Sequence, residues 1–193
     1  MYALLLSTAV IFVAELGDKS QLMAMTFATR YRTRDVLIGI TAATALVHLA
    51  SVGIGLLIGT AFASYQWIIS IIAGVAFLAF AAWTLRGDEL TDAEADKART
   101  SKGAAIVAVG VAFFLAELGD KTMLATITLA AQQNWLGVWL GSTVGMVAAD
   151  ALAIIIGRVL GKNLPEKVIK IGAATAFVVF GVVLLVQGIA SRA

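Results

Sequence analysis

The sequence contains no cysteine, one histidine and one proline among its 193 residues. The absence of cysteine excludes disulfides, thiolate metal sites and a cysteine nucleophile. Charged residues are also scarce, at 13%, whereas a soluble domain carries about a quarter. Carboxylates, hydroxyls and amides therefore remain as the main groups from which a site could be built. The net charge of +2 gives no support for nucleic-acid binding.

Apolar residues make up 61% of the sequence, and the mean hydropathy is +0.96. This composition excludes a soluble globular protein, because such a surface cannot be solvated by water. A bilayer core about 30 Å thick needs roughly 20 apolar residues per helix. Six runs of this kind predict six transmembrane helices, at residues 2–28, 36–62, 67–85, 104–131, 136–160 and 168–189.

The first apolar run differs from a cleaved signal peptide, because it is too long, lacks a basic start and carries Glu15, Asp18 and Lys19 in its middle. We interpret it as a retained helix. It is longer than a straight span needs, and Gly17 near its middle predicts a tilt or a local break. The fourth run has Gly119 in the same place.

Residues 87–103 form the only long polar segment and predict a cytoplasmic linker between two halves, residues 1–86 and 104–193. We interpret the acidic residues of this segment as a solvated surface. Nearly all lysine and arginine residues outside the spans fall on the side of this linker. By the positive-inside rule the linker is cytoplasmic, and both termini lie on the periplasmic or outer side.

The two halves are copies of one repeated sequence unit. The segment ELGDKS at residues 15–20 recurs as ELGDKT at residues 117–122, and the match at the same offset of 102 extends over residues 3–59. Because each copy has three helices, an odd number, the second copy must enter the membrane from the opposite side. The predicted fold is an all-α integral membrane protein with six transmembrane helices in two inverted three-helix repeats, an architecture typical of secondary transporters. It also predicts that one repeat rocks against the other.

The repeated motifs place charges in the middle of two predicted spans. An Asp or a Lys at mid-bilayer costs about 2.5 to 3.5 kcal/mol, so such residues are functional candidates by default. At a spacing of three residues the two acids of each motif lie on the same helical face, and Lys19, four residues after Glu15, can reach the Glu15 carboxylate. The four carboxylates and two ammonium groups sum to −2, which matches one divalent cation or two protons.

Oxygen-rich sites suit hard cations such as Mn²⁺, Ca²⁺ and Mg²⁺. We predict that Glu15, Asp18, Glu117 and Asp120 bind metal, with Ser20, Gln21 and Thr122 in support. Protons compete with metal for the same carboxylates, which is the physical basis of an antiporter. Two roles stay open for Lys19 and Lys121: they orient the carboxylates, or they occupy the empty site as surrogate cations.

Two further ionisable residues, His48 and Asp150, occupy equivalent positions in the repeats because they are also 102 residues apart. A proton-relay or supporting role at the shared cavity is one interpretation. Hydrogen bonding to a neighbouring helix is the other.

The paired ELGDK motifs, one in the first helix of each half, resemble the signature of the Gdt-type family of cation/proton exchangers. The resemblance covers essentially the whole chain. It implies that Glu15, Asp18, Glu117 and Asp120 bind the cation, and that Met123 stands where the family has a second glutamine. It also implies export of Mn²⁺, and of Ca²⁺ as a second substrate, with protons as the exchanged ion and no cofactor. With no organellar targeting segment visible, we expect a multi-pass protein of the bacterial inner membrane.

Three other hypotheses remain. A divalent cation channel or uniporter would use the same acids without a counter-moving proton. A membrane enzyme with a carboxylate-held metal is disfavoured, because the sequence has no H-E-x-x-H motif and no histidine pair. A purely structural bundle would use the charges only as ion pairs between helices. The sequence leaves the oligomeric state open, with a homodimer as one option.

Overall fold

A computed structural model describes residues 1–86, 105–160 and 166–192, with the side chains of 158–160 and 166 also outside the described part. The predicted linker at 87–103 lies outside the described residues. The described part is helical and contains no strand. Its α-helices are α1 (Tyr2–Glu15), α2 (Lys19–Ala28), α3 (Thr33–Ala61), α4 (Gln66–Arg86), α5 (Ala105–Glu117), α6 (Lys121–Ala130), α7 (Trp135–Leu160) and α8 (Glu166–Ala190).

Four of these helices, α3, α4, α7 and α8, are long and apolar enough to cross a membrane. They coincide with the second, third, fifth and sixth predicted spans to within a few residues at each end. The first and fourth predicted spans are each divided into two shorter helices, α1 with α2 and α5 with α6.

Both divisions fall at the glycine of the repeated motif. Gly17 has φ +76° and Gly119 has φ +80°, in the left-handed region that glycine adopts without a steric penalty. The local break predicted at these residues is confirmed. The expectation that the two acids of a motif share one continuous helical face is wrong, because the chain leaves the helix between Glu15 and Asp18.

The two short helices of the first half follow one another along α7. Near the start of α7, Gly141 lies against the backbone carbonyl of Leu4 in α1. Near its other end, Gly157 lies against the side chain of Met25 in α2. Because both pairs advance in the same direction, α1 and α2 together run parallel to α7. Glycine permits this close approach because it has no side chain.

The two short helices of the second half follow α3 in the same way. Gly39 lies against the carbonyl of Ile106 in α5, and Gly55 lies against the carbonyl of Ile127 in α6. Each of these contacts matches one in the first half after a shift of 102 residues. The first predicted span of each half therefore packs on the second predicted span of the other half.

The long helices α3 and α7 cross near their midpoints. The indole Nε1 of Trp139 donates to the carbonyl of Ala45 at 2.9 Å, and Thr44 Oγ1 donates to Met146 Sδ at 3.4 Å. Thr44 and Met146 are themselves 102 residues apart. Equivalent positions of the two halves thus meet at this crossing.

The remaining long helices, α4 and α8, pack mainly on each other in antiparallel fashion. Their contact contains an aromatic cluster, in which the ring of Phe177 lies 5.8 Å from Phe77 and 5.9 Å from Phe80. Gly74 and Gly181 face each other across the same interface and allow the two backbones to approach. This α4–α8 pair lies against the rest of the bundle through α1, α6 and the aromatic cluster.

Candidate cation site

The break between α1 and α2 brings two carboxylates together. Glu15 is the last residue of α1 and is completely buried, while Asp18 caps the start of α2 and accepts from the backbone N–H of Ser20 at 3.3 Å. The Ser20 hydroxyl is within hydrogen-bonding reach of both the Glu15 and the Asp18 carboxylates. A hydroxyl at this motif position therefore holds the two acids on the same side of the break.

Gln21 fixes this break to the neighbouring helix. Its Oε1 accepts from the Gly17 N–H at 2.8 Å, and its Nε2 donates to the carbonyl of Ala149 in α7 at 3.0 Å. Gln21 thus supports the site through the backbone, and these two hydrogen bonds use both ends of its amide.

The second break repeats this arrangement with different atoms. Glu117 ends α5 and accepts from Thr122 Oγ1 at 2.9 Å, while Asp120 occupies the cap position of α6. The N–H of Gly119 donates to Met123 Sδ at 3.2 Å. In the first half, Gln21 Oε1 accepts the equivalent hydrogen bond from the Gly17 N–H. The difference between Gln21 and Met123 therefore makes the two breaks unequal.

Glu15, Asp18 and Glu117 form one cluster. Each offers a carboxylate oxygen, and these oxygens lie within 4.8 Å of one another. An ion at the centre of such a triangle lies about 2.8 Å or less from every oxygen, close to the distances that Ca²⁺ adopts with carboxylates. Of the four predicted metal ligands, the structure brings together these three, from both halves of the chain.

Two of the three clustered acids have a carboxylate oxygen available to a ligand. Within the described part of the chain, Glu15 Oε2 and Glu117 Oε1 are buried and have no hydrogen-bond partner. A buried carboxylate oxygen without a partner is costly, so it requires a proton or a cation. The cluster therefore has the chemistry of a site for protons or hard cations.

Lys121 connects the two halves at this point. Its ammonium group forms an ion pair with Asp18, and both side chains are buried. The sequence predicted that Lys19 could reach the Glu15 carboxylate of its own motif. The ion pair of Lys121 instead joins it to Asp18 of the other motif.

Asp120 and Lys19 lie beside the cluster. Asp120 is buried, and its charge acts on both Glu117 and Lys121. Lys19 begins α2 and is half-buried. Neither belongs to the group of three close oxygens.

Asp150 adds a further acid from α7. It is completely buried, its charge acts on Glu15 and Glu117, and neither of its oxygens has a hydrogen-bond partner in the described residues. His48, its counterpart in α3, is also buried, and both ring nitrogens lack such a partner there. One interpretation of the sequence was that His48 and Asp150 hydrogen-bond to a neighbouring helix. In the described part of the chain, neither side chain has such a partner.

The crossing pair Thr44 and Met146 is not among the residues that the sequence predicted. The two residues differ in type, so they do not appear as an identity in the repeat. Their spacing of 102 residues is the signal that could have identified them.

Comparison with known proteins gives relatives along nearly the whole chain. A "Putative manganese exporter" of Vibrio cholerae is 34% identical over 180 residues, which cover 88% of this chain and 84% of that protein. A GDT1-like protein of Synechocystis is 32% identical and covers 90% of this chain and 91% of its own. The "GDT1-like protein 2, chloroplastic" of rice is 33% identical over 89% of this chain, which corresponds to 57% of the longer rice protein.

No solved structure matches the chain. The family model described as "Divalent cation/proton antiporter GDT1" matches residues 3–92 and 105–192, one segment for each half of the sequence. By this match the chain belongs to the GDT1 family of divalent cation/proton antiporters.

Proposed function

We propose that this protein exports Mn²⁺ from the cytoplasm in exchange for protons, with Glu15, Asp18, Glu117 and Asp120 as its cation-binding acids. The observation that carries the proposal is the cluster of three buried carboxylate oxygens within 4.8 Å. It is supported by the family of antiporters to which the chain belongs and by the manganese exporter named among its relatives. Ca²⁺ is a second candidate substrate, because its preferred ligands are also oxygens.

The exchange follows from one shared site. When Mn²⁺ binds, the carboxylates of Glu15 and Glu117 must lose any proton they carry. When protons return from the other side, they displace the metal. Lys121 holds Asp18 in place, so among the three clustered acids the two glutamates each keep an oxygen without a hydrogen-bond partner in the described residues.

Asp150 is our candidate for a proton-coupling residue. It lies in α7 rather than in the motif, yet its charge acts on Glu15 and Glu117. His48 is the corresponding candidate in α3. In this scheme Asp150 releases its proton when metal occupies the cluster, because the bound cation neutralises the acids that otherwise repel the Asp150 charge.

The architecture that we propose has six spans in two inverted repeats, with residues 1–86 and 104–193 as the halves and 87–103 as a cytoplasmic linker. Its support comes from the contacts that recur after a shift of 102 residues, and from α1 with α2 following α7 as α5 with α6 follow α3. We propose a bacterial inner-membrane location with both termini outside. The basic residues Arg30, Arg32, Arg86 and Lys167 lie at the ends of helices that meet on the proposed cytoplasmic side.

The test is transport in proteoliposomes loaded with dyes for Mn²⁺ and for pH. A Mn²⁺ gradient should drive protons in the opposite direction, and an imposed pH gradient should drive Mn²⁺ against its own gradient. Mn²⁺ movement that an imposed pH gradient cannot drive uphill would instead identify a channel or uniporter. Repeating the assay with Ca²⁺ determines whether it is a second substrate.

A further inference from the structure

The two halves of the bundle are interlocked by backbone contacts. A Cβ atom added to Gly141 would overlap the carbonyl of Leu4, and one added to Gly39 would lie 2.8 Å from the carbonyl of Ile106. Such contacts join α1 of one half to α7 of the other, and α5 to α3. A rigid rotation of one half against the other would have to open all of them at once. The packing thus disfavours the rocking motion predicted from the repeat architecture.

The α4–α8 pair is held differently. Each helix makes most of its contacts with the other, and few with the remaining helices. Arg192 lies 5.0 Å from the ring of Trp67 and closes one end of the pair. The pair is therefore the part of the described structure that can move with the least loss of packing.

The position of the pair is asymmetric with respect to the two breaks. A Cβ added at Gly17 would meet Ile169 of α8 at 3.2 Å, whereas a Cβ added at Gly119 would meet no atom within 4 Å. The residues that precede the two glycines agree, since Leu16 is half-buried and Leu118 is 47% exposed. Thus α8 covers the first break, while α4 leaves the equivalent second break uncovered.

An apolar cleft of about 390 Å³ lies on the uncovered side, between α4 and α6. Its walls include Ile72 and Ala76 of α4, and Leu124 and Thr128 of α6. Leu124 follows Asp120 by about one helical turn, so the cleft reaches the neighbourhood of the second break. Because the walls are almost entirely apolar, they are suited to closing against each other rather than to conducting an ion.

From these observations we propose that the α4–α8 pair is the moving gate of the exchanger. In the structure described here, α8 lies over the break at Gly17. In the alternative state, α4 closes the cleft against α6 and covers the break at Gly119, while α8 leaves Gly17. This inference rests on the proposed transport function and adds which part of the chain moves.

The absence of cysteine allows a direct test, because pairs of cysteines can be introduced without removing any. The pair Ala76→Cys with Thr128→Cys spans the cleft from α4 to α6. The pair Thr44→Cys with Met146→Cys joins the two halves at the crossing of α3 and α7. As a control, Trp67→Cys with Arg192→Cys links α4 to the end of α8, within the moving pair. Each variant is cross-linked with a short reagent that forms a disulfide with each cysteine, and it is assayed for Mn²⁺ transport in liposomes before and after reduction.

We expect the cross-link across the cleft to reduce transport roughly tenfold or more, because it fixes the gate. Transport should return after reduction, which shows that the variant is folded. The cross-links at the α3–α7 crossing and within the pair should leave transport within about twofold of the reduced protein. The proposal is overturned if the link across the cleft leaves transport intact, or if the link at the crossing abolishes it. If the reduced variants and the wild type do not exchange Mn²⁺ for protons, the proposed function fails instead.

Discussion

Lys121 of the second half forms its ion pair with Asp18 of the first half, in a buried position beside Glu15 and Glu117. The pair ties the two breaks together and neutralises one of the acids of the cluster. The pair is compatible with both roles left open for Lys121, because an ammonium group beside Asp18 orients that carboxylate and also brings a positive charge to the cluster.

The ion pair predicts a specific pattern of stabilities. Lys121→Met should destabilise the protein by about 3–5 kcal/mol, because it leaves the Asp18 charge buried without its partner. The double variant Asp18→Asn with Lys121→Met should recover much of that loss, since no charge remains unpaired. Thermal unfolding is measured in one detergent for the wild type, for Lys121→Met, for Asp18→Asn and for the double variant. The changes in stability of the three variants complete the double-mutant cycle. Additive effects of the two substitutions would show that the pair does not form.

The glycines of the helix contacts should differ sharply in their tolerance of alanine. Gly141→Ala should destabilise the bundle by about 1–3 kcal/mol, because the added methyl group overlaps the carbonyl of Leu4. Gly53→Ala is the matched control, since it lies in α3 and its added Cβ meets nothing within 4 Å. Alanine there should raise stability by up to about 1 kcal/mol through helix propensity. Equal unfolding temperatures for the two variants would contradict the interlocked packing.

Replacing Gln21 by methionine and replacing Met123 by glutamine should have different effects on stability. Gln21→Met removes the hydrogen bond to the Ala149 carbonyl and should cost about 1–3 kcal/mol, with a matching loss of Mn²⁺ transport. Met123→Gln gives the second break the residue of the first and should change stability by less than about 1 kcal/mol. Unfolding and transport measured on both variants check this. Equal losses in the two variants would mean that the two breaks are supported alike.

Asp150 provides the prediction on pH. Protons compete with Mn²⁺ for the carboxylates. As the pH is lowered, the apparent affinity for Mn²⁺ should therefore fall by about tenfold per pH unit for each proton displaced. Asp150→Asn removes one acid that interacts with Glu15 and Glu117, and it should lower the number of protons released per bound Mn²⁺ while binding itself survives. His48→Gln, at the equivalent position in α3, is the companion variant. An unchanged proton count in Asp150→Asn would remove this residue from the coupling scheme.

The sequence predicted four of the long helices, α3, α4, α7 and α8, to within a few residues, because a bilayer demands long apolar runs and their lengths are visible directly. It also predicted the break, because Gly17 and Gly119 lie in the middle of runs that are too long for straight spans. Three of the four predicted metal ligands converge in the structure. The repeat contributed most here, since it identified equivalent acids in the two halves.

The pairing of Lys121 with Asp18 could not be predicted from the sequence. Within a regular helix, the spacing of four residues favours a pair with Glu117, and only the break and the packing of the two halves redirect the lysine. The position of α8 over Gly17 was also beyond the sequence, because the equivalent helix α4 has a similar apolar composition. That asymmetry depends on which of two arrangements the bundle adopts, and not on a local pattern.

The most direct test of the account is a calorimetric titration of Mn²⁺ into the purified protein, in buffers that differ in ionisation enthalpy. One cluster shared by both halves predicts one bound Mn²⁺ per chain, with release of protons on binding. Glu15→Gln and Glu117→Gln should each weaken binding at least about a hundredfold, since either one removes a ligand from the same ion. Asp35→Asn, which changes an acid in the first turn of α3, should bind as the wild type does. Two Mn²⁺ ions per chain, each lost in only one of the glutamine variants, would contradict the shared site.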